Sequence, residues 1–547
     1  MQSLARLLLA FACLLLGPLA AMAKEPSDDT NKIKSLSPEQ ARKLVGTFKW
    51  DNLDLNGLTT LDADTAKALA EFKCRELNLN GVITLDTDAA KALVEFKGQV
   101  LHLNGLTTLD ATTAKALAEF KGQWLHLIGL TTLDADTAKA LAEFKGQGLV
   151  LDGLKTLDAD TAKALAEFRG QWLILNGLTT LDADTAKALA EFKGQGLYLD
   201  GLTTLEAATA KALTEFKGNL LFLNGVNTLD ADTAKALAKF KGQWLYLDGL
   251  TTLDADTSKA LAEFKGYLRL SGLTALDAET AKALAGITGW NGQLGKLSTL
   301  DTDTAKALAE FKSQRLYLNG LTTLDADTAK ALAGNKAWDG HLPNLTALDA
   351  DTAKALAEFK GEMLYLNGVN TLNADTAKAL AEFKGHALFL SGLTTLDADT
   401  ANALAAFKCQ MLYLDGLTTL EADTAEALAK FKGLSVDLNG LTTLDADTAK
   451  ALAANKKWKG RLPALTAFDM PDSVATAQAL ATRKGPLALP NLKKISPKTL
   501  TALIEKRDVQ IPLLETLELL QEPDGSVTED FVIPEWLEVR QNQQRAQ

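Results

Sequence analysis

The stretch GLTTLDADTAKALAEFKGQGL, residues 129–149, recurs letter for letter at residues 177–197. Close variants fill most of the remaining chain. The Gly of each NGL or DGL phrase marks the period. Steps of 24 residues lead from Gly57 through Gly81, Gly105, Gly129, Gly153, Gly177, Gly201 and Gly225 to Gly249. One step of 23 reaches Gly272, and the 24-residue register then continues through Lys296, Gly320, Asn344, Gly368, Gly392, Gly416, Gly440 and Ala464. A fixed period of this size predicts a solenoid. A weaker unit, LSPEQARKLV (36–45), precedes the series, and degenerate units follow around Asn491 and Leu513.

One unit divides into three pieces. LYLD (245–248) alternates apolar and outward positions, which is strand patterning. Gly249 permits a tight turn into LTTL (250–253), an extended and β-prone segment. DADTSKALAEFKG (254–266) predicts a short helix. Asp254 caps its first turn, and Asp256 suits the positive end of the helix dipole. Leu261 centres the buried face with Ser258, Ala262 and Phe264, while Lys259 and Glu263 face water. Gly266 is expected to end the helix in a left-handed conformation. No unit alone buries both its strand leucines and its helix face, so stacking has to make the core continuous.

Period, short L-x-L strand and one helix per unit resemble the leucine-rich repeat family, over roughly residues 36–517. The resemblance implies an α/β solenoid with strands on the inner face, of a kind used for protein recognition in exported bacterial-type repeat proteins. The family places an asparagine three residues after the second strand leucine. Here the polar residue follows that leucine directly, as in Leu175-Asn176-Gly177-Leu178. The family's buried asparagine ladder is therefore not carried over. The alanine-rich helices are thin, which predicts close neighbours and shallow curvature. The organisation expected is a signal peptide (1–23), an N-terminal cap (24–45), the 24-residue repeat solenoid (46–469), degenerate C-terminal repeats or cap (470–520) and a polar tail (521–547).

Composition fits a folded, core-forming chain, with 47% apolar residues. The net charge of −12 disfavours nucleic acid and anionic lipid as partners, since neither releases counterions to an acidic surface. The first residues read as an export signal. Arg6 lies in a short basic region, LLLAFACLLL (7–16) is the apolar region, and AMA (21–23) is a small-x-small cleavage site. The apolar run is short for a bilayer span, and Ala10 rather than Leu stands three residues before Cys13, where a lipobox would need it. An exported protein without a membrane span, either periplasmic, cell-surface or secreted, is expected. The other two cysteines, Cys74 and Cys409, replace the Gly of the FKG phrase 14 units apart. At ~4.8 Å per stacked strand they lie ~67 Å apart, out of reach of one another. A monomer is expected, with Cys74 or Cys409 free to link molecules under oxidation.

Columns that never vary serve the stack, so recognition is sought in those that do. The column between the two strand leucines points away from the core. It reads Asp54, Asn78, His102, His126, Val150, Ile174, Tyr198, Phe222, Tyr246, Arg269, Gln293, Tyr317, His341, Tyr365, Phe389, Tyr413, Asp437 and Arg461. Two residues earlier stand Trp124, Trp172, Trp244, Tyr267, Met363 and Met411. Such a row of aromatics is a candidate protein-binding surface. Tyr, Trp and His could alternatively stack on sugar rings of a glycan or cell wall, or the rings could simply stabilise the sheet.

Other chemistry is thinner. The DAD acids could form a calcium-binding column, but capping explains both without a metal. His102 and His126 could share zinc with Asn78, but two surface histidines make a poor site. Trp290, Trp338 and Trp458 mark three variant units in which Trp fills the space left when Gly replaces the first strand leucine. No nucleophile–base pair, phosphate-cradling loop or metal cluster of enzyme type is visible, and no cofactor is called for. The expected function is non-enzymatic binding of a protein, with a glycan ligand or a purely structural surface role as alternatives.

Overall fold

The computed structural model describes residues 30–47, 51–311, 315–522 and 533–545. The export signal lies outside the described residues. The chain divides into two compact units, residues 1–153 and 154–547.

In the first unit a helix, Pro38–Thr47, is opened by a reciprocal cap in which Ser37 and Gln40 each accept the other's backbone N–H. Five three-residue strands follow: Asn52–Asp54, Glu76–Asn78, Val100–His102, Trp124–His126 and Gly148–Val150. They pair in chain order, all parallel, each residue facing the one 24 places later. The second unit repeats this in Trp172–Ile174, Gly196–Tyr198, Leu220–Phe222, Trp244–Tyr246 and Tyr267–Arg269, except that the last pairing is with residues 23 places on. Isolated bridges then lead to a parallel four-stranded sheet, Met363–Tyr365, Ala387–Phe389, Met411–Tyr413 and Ser435–Asp437. A helix of seven to nine residues separates successive strands from Ala63 to Ala454. The fold is an α/β solenoid of leucine-rich-repeat-like design, one short strand and one short helix per 24-residue unit.

The helix reading holds in detail at Ala255–Leu261. Asp254 caps it by accepting the Thr257 N–H at 2.7 Å, and Leu261, Ser258 and Phe264 are buried. Its last turn corrects the expectation for Gly266. No repeat glycine of the FKG phrase has positive φ. The chain tightens instead, with the Phe264 N–H donating to the Leu261 carbonyl at 3.0 Å. Glycine is required there for space: a methyl on Gly98 would overlap the Phe96 ring and the Arg75 carbonyl. The phenylalanine rings stack from unit to unit, Phe96 on Phe120 at 6.3 Å and Phe192 on Phe216 at 6.0 Å.

Two polar ladders join the coils. The buried threonine at most helix starts reaches back one unit, as Thr257 Oγ1 does to the Leu229 carbonyl at 3.4 Å and Thr448 Oγ1 to the Leu420 carbonyl at 3.0 Å. The Asn or Asp after the strand forms the second ladder. Asn176 Oδ1 accepts the Asp200 N–H, Asp200 Oδ1 the Asn224 N–H, and Asn224 Oδ1 the Asp248 N–H, at 3.0, 2.8 and 3.0 Å. An asparagine ladder thus exists, at a part-exposed position different from the family's. It ties each turn to the next.

Three further expectations change. Cys74 and Cys409 are buried, not on the surface, and their thiols donate to the Glu76 and Met411 carbonyls at 3.3 and 3.4 Å. Burial pushes the Cys409 thiol up to about 11, so neither the site nor the ionisation suits a link between molecules. The tail from Gln521 contains a helix, Glu535–Arg545, with Leu537 and Gln541 buried. Gln541 accepts the Leu514 N–H and donates to the Pro512 carbonyl, covering the end of the stack. In the variant units Trp290, Trp338 and Trp458 are buried and bridge Leu268, Leu316 and Val436 of the preceding strand. Gly292, Gly340 and Gly460 then turn the chain with φ of 64°, 76° and 73°. Each such unit carries Ile287, Asn335 or Asn455 where others carry the stacking phenylalanine. The Trp ring takes over that contact, Trp290 meeting Phe311 at 5.1 Å and Trp338 meeting Phe359 at 4.7 Å.

Candidate binding face

Strand alternation sends the leucines inward and the variable column outward, and parallel register sets each ring beside its counterpart 24 residues on. In the second unit Tyr198 stacks on Phe222 at 3.9 Å and Phe222 on Tyr246 at 4.1 Å. Arg269 ends this run, its guanidinium 5.7 Å from the Tyr246 ring and 2.6 Å from Asp248. A second run stacks His341 on Tyr365 at 3.7 Å, Tyr365 on Phe389 at 4.2 Å and Phe389 on Tyr413 at 4.2 Å. Lys459 closes it, 5.9 Å from the Tyr413 ring and paired with Asp437 at 3.1 Å. Tyr317 faces Gln293 in an isolated bridge, half-buried, outside both runs.

The two runs differ in cover. Tyr198, Phe222 and Tyr246, with Ile174 before them, are buried. Broad side chains flank them: Trp172 meets Tyr198 edge-on at 6.1 Å, and Trp244 lies 6.2 Å from Tyr246. Burial pushes the Tyr246 phenol up to about 12. Tyr365, Phe389 and Tyr413 stay half-buried, because their flanking column holds only Met363, Ala387 and Met411. Met363 is 40% exposed and Tyr267 is 50% exposed, so the flanking column of the strand face is open at these places. The Tyr365 and Tyr413 hydroxyls fold back onto the Met363 and Met411 sulfurs at 3.1 and 3.5 Å.

In the first unit the His102 and His126 rings meet at 4.3 Å, tilted by 39°, with Trp124 6.1 Å from His126. Burial holds His102 below the usual imidazole value, against the opposing pull of Glu76 and Asp54. Burial, reinforced by His102, takes His126 down to about 3. Both rings are neutral near pH 7. Among the described residues no group of three or more His, Cys, Asp or Glu side chains converges as a metal site. The helix-start acids act as caps: Asp134 accepts the Thr137 N–H at 2.7 Å, and that bond holds its carboxyl below the ordinary value.

One pairing went unread in the sequence although its letters are plain. Trp124 lies over Gly148 and Trp172 over Gly196, where any Cβ would strike the indole. The alternation of GQW with GQG records it.

No family model matches the sequence. No curated protein matches it either. Among solved structures, the chain is similar to that in the crystal structure of the TLR13-ssRNA13 complex, with 15% identity and a TM-score of 0.36, over 84% of this chain and 85% of that one. At that level of likeness the fold is carried by the chain's own register of strands and helices.

Proposed function

We propose that this chain is an exported, non-enzymatic repeat scaffold that binds a protein partner through its strand face, acting as a monomer. The observation that carries the reading is the half-buried run His341, Tyr365, Phe389 and Tyr413, bordered by exposed Met363. Aromatic and methionine side chains gathered on a rigid sheet are the composition of binding hot spots. A protein ligand suits it better than a sugar. Sugar rings stack on free aromatic faces, whereas Tyr365 and Phe389 each have both faces against a neighbouring ring. What remains open is ring edges and a thioether, which suit apolar side chains of a protein. The acidic charge and the export signal expected at residues 1–23 are consistent with a partner met outside the cytoplasm.

The test is the triple variant Tyr365→Ser, Phe389→Ser and Tyr413→Ser, compared with the parent in affinity capture from envelope and secreted fractions and on a glycan array. Loss of the stacked pairs should lower stability by about 2 kcal/mol, read by thermal melt. Affinity for a captured protein should fall by at least ~30-fold, the equivalent of one ~2 kcal/mol anchor. Unchanged affinity in a folded variant would make the run a stacking ladder only, and glycan binding lost in the variant would favour the sugar reading.

A further inference from the structure

Eight turns of the solenoid contain the same tetrapeptide, Leu-Asn-Gly followed by Leu or Val, at Asn56, Asn80, Asn104, Asn176, Asn224, Asn319, Asn367 and Asn439. Their local chemistry is identical, so any difference in reactivity must come from the fold. Six of the eight carboxamides are held. Asn56, Asn80, Asn104, Asn176, Asn224 and Asn367 each accept, through Oδ1, the backbone N–H of the ladder residue one unit later, at 3.0–3.2 Å. For Asn319 and Asn439 the ladder residue one unit later is Pro343 and Pro463. Proline has no N–H to give. Asn319 Oδ1 is accordingly buried without a hydrogen-bond partner. The place of Pro343 in the ladder is fixed by Gly368, whose added methyl would overlap the Pro343 carbonyl as that of Gly392 would overlap the Asn367 carbonyl. The two prolines belong to the variant coils of Trp338 and Trp458, so the same departure that reshapes those coils also severs the ladder.

We infer that Asn319 and Asn439 are the preferred deamidation sites among these eight turns of the folded chain. The backbone nitrogen of Gly320 or Gly440 forms a bond to the preceding asparagine Cγ. The Cγ–Nδ2 bond breaks, and ammonia leaves with the proton given up by the glycine nitrogen. Water, the only co-reactant, opens the resulting five-membered imide at either carbonyl, to aspartate or to isoaspartate. Glycine suits the attack because it carries no side chain to obstruct it. In the six held turns the carboxamide must first abandon its ladder bond before Cγ can swing toward the glycine nitrogen. At Asn319 and Asn439 there is no such bond to lose. The aspartate product matches the ladder position in size, since Asp200, Asp248 and Asp415 already occupy it elsewhere, although before Pro343 and Pro463 it gains no N–H to accept. The isoaspartate product adds a methylene to the main chain within a turn that has no spare room.

The experiment incubates the folded full-length chain in mildly alkaline buffer and follows each of the eight Leu-Asn-Gly peptides by mass spectrometry that separates aspartate from isoaspartate. Asn319 and Asn439 should convert about fivefold faster than the six others, the factor corresponding to the ~1 kcal/mol net value of one hydrogen bond. Unfolded in urea, all eight should react alike. Pro343→Ala restores the missing N–H and should slow Asn319 to the rate of the held six while leaving Asn439 unchanged. Pro463→Ala should do the reverse, which protects the test should either variant lose its fold. Equal rates at all eight sites in the folded chain, or an Asn319 rate indifferent to folded Pro343→Ala, would overturn the inference.

Discussion

Gly201→Ala should destabilise the second unit by about 3 kcal/mol, far beyond the usual cost of one methyl group. The added Cβ would overlap the carbonyl oxygens of Asn176 and Leu178, both backbone atoms of the preceding coil. Backbone cannot rotate away as a side chain can, so the turn must rise off its neighbour. Lifting it strains the bond that Asp200 donates to Asn176. The natural sequence supports the argument. Residues with a Cβ occupy this position only as Lys296, Asn344 and Ala464, all in the variant coils that approach the turn by another path. Gly334→Ala is the control. Its nearest atom to a new methyl is 3.5 Å away and its φ is not positive, so it should be neutral or stabilise by about 0.5 kcal/mol through the unfolded chain. Urea denaturation of both variants decides the matter. Equal midpoints would mean that the coils have slack this packing denies.

The second large effect is a loss of stability of the first unit in mild acid. An imidazole whose folded pKa lies below its unfolded value binds fewer protons folded than unfolded. The associated stability is fully present above the unfolded value of 6.5 and is lost as pH falls toward about 3. His126 and His102 have the same sign, since burial lowers both. Between pH 7 and pH 4 the loss should be on the order of 2–3 kcal/mol. Protonation would also set two positive rings against one another at 4.3 Å, with Glu76 and Asp54 opposing it from neighbouring strands. The caps Asp110 and Asp134 do not confuse the window. Hydrogen bonds from Thr113 and Thr137 hold their carboxyls below the ordinary value, so their contribution is lost only under stronger acid. His102→Tyr with His126→Phe copies the Tyr198–Phe222 stack, keeping ring contact while removing the titration. That variant should match the parent at pH 7.5 and exceed it at pH 4.5, by hydrogen exchange at residues 100–126. A parent whose protection there is flat from pH 7 to pH 4.5 would rule the histidines out.

How much of this could be read from letters differs by kind of interaction. The helix of Ala255–Leu261 was legible throughout, because capping by Asp254 and burial of Leu261 are local and periodic. The outward column was legible because alternation alone fixes it. What escaped were contacts between units. Gly266 looked like a left-handed cap, and its purpose is clearance for Phe264 and the Gln243 carbonyl, neither of which lies beyond it in sequence order. Asn176 looked misplaced for a ladder, because the family's ladder sits elsewhere on the turn, while the bond to Asp200 becomes visible only once coils are stacked. The cysteines appeared exposed through the same misreading of the helix end. Burial of Tyr198 against openness of Tyr365 was hidden for a related reason. It depends on whether tryptophan or methionine stands in the adjoining column, an effect of shape between strands rather than of residue type within one.

The indole of Trp124 resting on Gly148, and that of Trp172 on Gly196, give the chain a grammar coarser than its 24-residue period. In these two pairs the indole rests on a bare backbone, so each pair fits as a couplet, whereas Trp244 is followed by Tyr267, whose ring stacks on the indole at 4.5 Å. Within residues 124–198 a single coil lost out of phase would set a Cβ where an indole now lies. A couplet of 48 residues can be exchanged without that conflict. This accounts for the identical phrases at residues 129–149 and 177–197, which stand one couplet apart and both close on QGL. The fidelity of those letters records the grain at which such a molecule can lengthen or shorten and still close its surface.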